Sequence, residues 1–285
     1  MLAADAPVRQ QTFRALSYSF RVATNVPEVA PLVPALLGDL RDVRDEGAHL
    51  YELLREPAAR PFSAYVDGEL VRRVGSPLAL VDELLWHVNR EALTRPDPRI
   101  GIHASAASLN GRTFLFPAPA GSGKTTLVAG LLQHGASYMT DEAALIAPET
   151  IELHPYPKPM WMAPGAIRAV DGLRDRLLPE YRSLSRVRVY VRCTDLGADA
   201  VTMPLPVDLV VAPSYRQGFA TTLEPMSRAE CLMTLANNAF NLHRFGRQGV
   251  TALERLVAAS RCYRLTIGDL DEALRALEAL TGTET

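Results

Sequence analysis

Between positions 103 and 142 the chain carries three groups whose types and spacing suit chemistry on a phosphate ester. They are a histidine (His103), a glycine-rich loop ending in lysine and threonine ("APAGSGKT", 118–125), and two adjacent carboxylates (Asp141 and Glu142). The loop departs from the phosphate-binding pattern G-x-x-x-x-G-K-[ST] only at its first position, where Ala118 stands for glycine. Ala120, Gly121, Ser122, Gly123, Lys124, Thr125 and Thr126 are therefore the candidate nucleotide-binding residues. Glycines let the backbone close around an anion, and the N–H groups that open the following helix point at its oxygens. Lys124 reads as an exposed, mobile positive charge with little packing. Thr125 offers a hydroxyl to a magnesium ion bridging the phosphates.

Asp141 and Glu142 suit a division of labour in which one carboxylate holds magnesium, directly or through water, and the other takes a proton from an attacking hydroxyl. A pair of solvated charges at a strand end is the plainer alternative. His103 falls on a strand paired with the one that feeds the loop, which brings it toward the same place, although a lone sheet histidine is more often structural. Further along, Arg216 in "APSYRQG" and Lys158 in "PYPKPMWM" are candidates to neutralise phosphate or substrate charge. An exposed arginine and a proline-stiffened loop packing Trp161 explain them equally well. Asn237, Asn238, Asn241 and His243 read as packing or capping residues.

Two units must position these groups. In the first, residues 1–97, "LSYSFRVATN" alternates Leu16, Tyr18, Phe20 and Val22 on one face of a strand, and "FSAYVDGELVRRV" reads as two strands around Asp67-Gly68. The segment "PEVAPLVPALLGDL" is apolar enough for a helix but carries three prolines. Ser76 and Pro77 open a helix whose Leu80, Leu84, Leu85 and Val88 share a face and which ends near Leu93. "TRPDPR" is the linker into the second unit, residues 98–285. That unit opens with a strand over 102–109, a tight Asn110-Gly111 turn and a strand over 113–116. The loop follows, then a helix over 125–133 stopped by Gly135. A strand over 137–140, paired in parallel, would carry the two acids to the loop. A later strand in "VDLVVAPSYRQG" ends near Pro213 and leaves Tyr215 and Arg216 on a loop.

Composition narrows the partners. The chain has 285 residues, 48% of them hydrophobic, with 30 Lys and Arg interspersed among 32 Asp and Glu for a net charge of −2. These values suit a globular protein with a sizeable core and no nucleic-acid or polybasic membrane surface. The opening "MLAADAPVRQ" lacks a signal-peptide pattern, no run is long enough for a membrane span, and a cytoplasmic location is expected. Cys193, Cys231 and Cys262 have neither the number nor the spacing of a disulfide framework or zinc site.

Taken together, His103, residues 118–125 and Asp141-Glu142 resemble the HPr kinase/phosphorylase family, whose phosphate-loop fold is shared with phosphoenolpyruvate carboxykinases. That family sets a histidine, a loop of the form G-x-S-G-x-G-K-S and an Asp-Asp pair in this order at similar intervals. The resemblance spans about 100–280, is strongest over 103–146, and extends to "HPYPKPMWM" and "CYRLTIGDLDEALRALEAL" as a divergent branch, some members of which accompany peptide natural-product biosynthesis. It implies an α/β kinase domain over 98–285; the small α+β unit over 1–97 does not resemble the family's N-terminal domain, and its expected part is to help select the substrate. It also implies ATP and magnesium as cofactors, with Lys124 and Thr125 on phosphate and metal, Asp141 as base, Glu142 assisting the metal and His103 supporting the acids. Thr126 stands where the family often has a metal-binding glutamate, and Glu142 replaces the second aspartate. The bifunctional enzymes' downstream arginine- and glycine-rich signature is missing, so neither phosphorylase activity nor the phosphocarrier HPr as substrate is expected.

The expected activity is transfer of the γ-phosphate to a hydroxyl, foremost a serine of a peptide or protein, including a natural-product precursor. A small-molecule acceptor at the same site is the alternative enzyme. A nucleotide-dependent peptide-binding protein without catalysis is the third reading, and self-association is left open.

Overall fold

The computed structural model describes residues 11–42, 47–57, 61–182 and 188–282. The chain divides into two compact units, Met1–Asp97 and Pro98–Thr285, both mixing helices with sheet. Among the described residues no helix is long and apolar enough to cross a membrane.

The first unit is one five-stranded sheet in chain order: β1 (Gln11–Ala15), β2 (Tyr18–Thr24), β3 (His49–Arg55), β4 (Phe62–Val66) and β5 (Glu69–Val74). Only β2 and β3 pair in parallel. The proline-rich segment between them keeps one short helix, α1 (Leu32–Leu36). Helix α2 (Pro77–Thr94) buries Leu80, Leu84, Leu85 and Val88, and the Ser76 side chain caps it by accepting from the Ala79 N–H. The strand expected over 16–25 begins at Tyr18 instead, because Leu16 turns with φ 58° and pairs off the unanticipated β1 as a hairpin partner. A leucine in the left-handed region is rare enough that the sequence gives no turn signal there.

The second unit carries β6 (Ile100–Ile102), β7 (Ala104–Leu109), β8 (Arg112–Pro117), α3 (Lys124–Gln133), β9 (Ser137–Thr140), β10 (Ala144–Ile146), β11 (Leu153–His154), β12 (Met160–Met162), α4 (Pro164–Ala169), α5 (Leu173–Arg176), α6 (Pro179–Arg182), β13 (Val189–Val191), β14 (Leu209–Tyr215), β15 (Thr222–Pro225), α7 (Arg228–Asn238), α8 (Gly246–Ala259), β16 (Arg261–Ile267) and α9 (Leu270–Ala279). Its main sheet has the order β15-β16-β14-β8-β7-β9. Strands β8, β14 and β16 pair in parallel, while β7 runs against both β8 and β9. Strand β9 therefore points the same way as β8 without touching it, which corrects the expected parallel pairing but preserves its consequence. Four strands end at one edge of the sheet, where open α/β sheets gather ligands.

Pattern explains which way these strands face. In β8 the side chains alternate, so Leu115 joins the core with Val210, Cys231, Leu235, Leu253 and Leu256, while Phe114 and Phe116 stack 5.8 Å apart on the other face. Helix α3 packs against β7 and α9, closely enough that a methyl group at Gly130 would lie 2.9 Å from the Leu274 side chain.

The 102–109 strand is broken at His103. Upstream, β6 belongs to a separate sheet with β10 and β11, and downstream β7 joins the main sheet. At the crossover the His103 N–H donates to the Asn238 carbonyl at 2.7 Å. The buried Asn241 side chain accepts from the Gly101 N–H at 2.8 Å and donates to the Arg99 carbonyl at 3.0 Å. This matches the packing role read from the sequence and pins the strand that delivers His103. Replacing Asn241 with alanine would leave two main-chain groups without partners, so Asn241→Ala should cost about 2–3 kcal/mol of stability in urea unfolding. A loss below about 0.5 kcal/mol would mean water replaces the amide.

Candidate functional site

The loop that follows β8 owes its shape to its glycines. Gly121 and Gly123 adopt φ 82° and 91°, and a methyl group added at Gly121 would meet nothing within 4 Å, so its concave side is open. Gly123 sits at the start of α3 without a side-chain cap, and the first N–H groups of this ten-residue helix face the loop's hollow. A glycine-shaped loop leading into a helix start is the geometry that could receive an anion.

Lys124 is not the exposed lysine of the sequence reading. It is only 5% exposed, and its ammonium donates to the carbonyls of Ala118 (2.6 Å) and Pro119 (2.9 Å), bracing the loop from inside. Its Nζ also lies 3.3 Å from Nε2 of His103. Burial pulls the Lys124 pKa down against the opposing pull of Asp141 and Glu142. Burial, then the neighbouring Lys124 charge, lower that of His103, whose ring also hydrogen-bonds the Glu142 backbone. A neutral ring that accepts from Lys124 fits both contacts.

The acids sit where β9 ends. Asp141 is buried, and its Oδ1 accepts from the Ser105 hydroxyl at 2.6 Å. Thr125 donates toward both carboxylate oxygens, at 3.1 and 3.2 Å. A threonine hydroxyl against a carboxylate is a pair of hard oxygen donors, which suits magnesium sharing its shell with phosphate and water. Glu142 turns away. Its backbone adopts φ 99°, a strained value for a residue with a side chain, and its carboxylate meets Lys158 Nζ at 3.1 Å. Thr140 closes the turn by donating to the Ala143 carbonyl at 2.8 Å.

A cleft of about 910 Å³ opens over this constellation. His103, Ala120, Gly121, Gly123, Lys124, Thr125, Thr126, Asp141, Glu142 and Lys158 all line it, so most sequence-derived candidates meet in one place. Ser122 and Arg216 are outside that lining. The Ser122 hydroxyl is buried without a hydrogen-bond partner, and its carbonyl accepts from the Tyr215 N–H, which leaves only its backbone for a ligand. Arg216 lies over the Phe219 ring, 5.7 Å from its centre. Strand β14 runs on through Pro213 to Tyr215, so Tyr215 is a strand residue that lines the cleft and not the loop residue expected.

The sequence reading passed over Ser105 and Arg188 and gave Tyr215 and Trp161 no place in the site, taking the one as a loop residue and the other as packing. Ser105 had one available signal, its place two residues after His103 in the strand expected over 102–109. The others reach the cleft through pairings that no local pattern announces. The comparisons with protein-family models and with curated proteins give no match.

The lowered His103 pKa fixes the sign of a pH effect. Below its ordinary value of 6.5 the unfolded chain takes up a proton that the folded protein refuses, so stability should fall as pH drops from about 6.5. His87 in the first unit, also held low by burial, acts in the same direction. In urea melts from about pH 7.5 to 5, His103→Asn should flatten the slope but not abolish it. An unchanged slope would mean His103 titrates normally.

Proposed function

We propose that residues 98–285 form an ATP- and magnesium-dependent phosphotransferase domain of the HPr kinase and phosphoenolpyruvate carboxykinase type, which transfers the γ-phosphate to a hydroxyl of a peptide or protein. One observation carries this reading. The hydroxyl of Thr125, the first-turn residue after a glycine cradle, is in direct contact with the buried carboxylate of Asp141. A carboxylate and a helix-terminal hydroxyl have this relation where magnesium bridges nucleotide phosphates.

In this mechanism the loop amides hold the phosphate oxygens, and Lys124, whose protons go to the Ala118 and Pro119 carbonyls and to His103, contributes its fixed positive charge beside them. Thr125 and Asp141 would hold magnesium, which would supply charge neutralisation at the phosphate, with Ser105 orienting the Asp141 carboxylate. His103 stays neutral and steadies Lys124. Glu142, 43% exposed in the cleft, takes the acceptor's proton while Lys158 holds its side chain. The roles of the two acids are thus reversed from those implied by the family resemblance. The reason is geometric: a carboxylate already committed to Thr125 is the one placed for the metal.

Substitution at three positions checks the proposal. Lys124→Ala should abolish detectable transfer and weaken ATP binding at least tenfold, about 1.4 kcal/mol. Asp141→Asn should raise the magnesium requirement and weaken nucleotide binding, with part of the rate returning at high magnesium. Glu142→Gln should keep ATP affinity and lose about a hundredfold or more in kcat. Opposite phenotypes for the two acids would keep the kinase and restore Asp141 as base. Wild-type behaviour in all three variants would overturn the reading, and tight ATP binding with no transfer to any acceptor would leave a nucleotide-dependent binding protein.

A further inference from the structure

We infer that the acceptor is a polypeptide bearing an acidic group near its accepting hydroxyl, and that Trp161 and Arg188 read that group. The inference rests on the phosphotransferase reading and adds the class of acceptor to it.

The cleft is at the top of the range for small-ligand sites, about 300–1,000 Å³, and it has two chemically different flanks. Strand order separates them. On one side of the loop stand the ends of β14 and β16 and the start of α9, contributing Tyr215, Ile267, Gly268, Leu270 and Leu274 together with Asp269 and Asp271, a wall with room for a nucleoside. On the other side stands β9 with the two acids. Thr140 forms a parallel bridge with Tyr156, so the chain leading to β12 continues outward from β9. This second flank ends in a two-stranded ribbon in which Trp161 pairs with Tyr190.

Within the ribbon, Met160 and Met162 are buried while Trp161 between them is 48% exposed and faces the cleft. The indole is held on both sides. Tyr190 stacks on it at 6.4 Å, and the Arg188 guanidinium lies over its ring, 4.7 Å from the centre. A guanidinium laid flat on an aromatic face keeps its N–H edge for a planar anion, which favours a bidentate carboxylate. Among the described residues no carboxylate lies within ion-pair distance of Arg188, which also lines the cleft.

Lys158, which contacts Glu142, and Trp161 stand three residues apart on one segment with Pro159 between them, and Glu142, Trp161 and Arg188 line the same cleft. An acceptor whose hydroxyl reaches Glu142 therefore has Arg188 on the same flank, and a peptide can offer a hydroxyl and a nearby acidic side chain to both.

The test begins with calorimetric titration of magnesium-ATP into the full chain, followed by transfer from γ-labelled ATP to serine peptides carrying Asp, Asn or Lys two or three residues to either side of the serine. Asp peptides should have kcat/KM about tenfold above Asn peptides. Arg188→Ala should erase that difference through KM, and Arg188→Glu should shift preference to Lys peptides, with ATP affinity unchanged in both. Trp161→Leu, a second exposed substitution, should raise KM for the Asp peptides. No ATP binding by the wild-type chain would sink the phosphotransferase reading and this inference together. Four outcomes with ATP binding intact would overturn this inference alone. They are no transfer to peptides, transfer to small hydroxyl compounds only, no preference for acid, and loss of ATP affinity in Arg188→Ala, the last of which would make the Trp161 flank the nucleobase site.

Discussion

A carboxylate out of contact with water survives only where donors surround it, and Asp141 is the point at which this requirement organises the second unit. Its two donors come from different elements, Ser105 from β7 and Thr125 from the first turn of α3, while Asp141 itself follows β9. One carboxylate therefore ties an antiparallel strand, a strand end and a helix start into a fixed triangle. The glycine cradle cannot move relative to the acids without leaving that charge unsatisfied. Lys124 plays the complementary part, a buried cation whose protons go to loop carbonyls and whose neighbour His103 is kept neutral. Lys124 donates to loop carbonyls and Asp141 accepts from hydroxyls, so the two opposite charges have separate hydrogen-bond partners.

The sheet decides what each flank of the cleft offers. Because β8, β14, β16 and β9 all end at the same edge, the loop is bordered by the ends of β14 and β16 on one side and by Asp141 and Glu142 on the other. The segment leading to β12 extends the acidic flank into a ribbon with an aromatic and a cationic side chain, and Lys158 joins the two through its contact with Glu142. Positive φ at Glu142 is the local strain that makes this possible, since it turns consecutive carboxylates in different directions. Two adjacent acids thereby acquire different partners and different chemistry.

Much of this was legible from local sequence wherever the physics is local. The glycines of the loop demanded left-handed backbone and have it, Ser76 and Pro77 marked a helix start, and Asn110-Gly111 and Asp67-Gly68 marked hairpins, each depending on a few consecutive residues. What failed did so where a rare conformation or a distant partner intervened. Leu16 turns in a region leucine seldom visits, so β1 went unread. The strand through His103 changes sheets because Asn238 and Asn241, far along the chain, hold its backbone.

The sequence by itself determined the cradle, its lysine and threonine, and the arrival of two acids at the same end of the sheet, because backbone freedom, capping and strand-helix-strand connection are short-range constraints. Only the tertiary structure decided that Lys124 is buried, that Asp141 belongs to Thr125 and Ser105 while Glu142 belongs to Lys158, that Arg216 lies outside the cleft, and that Trp161 and Arg188 line it. Those outcomes follow from which strands become neighbours. Strand β7 inserts between β8 and β9, and β12 finds β13, through burial summed over the whole core, a quantity that no window of sequence contains.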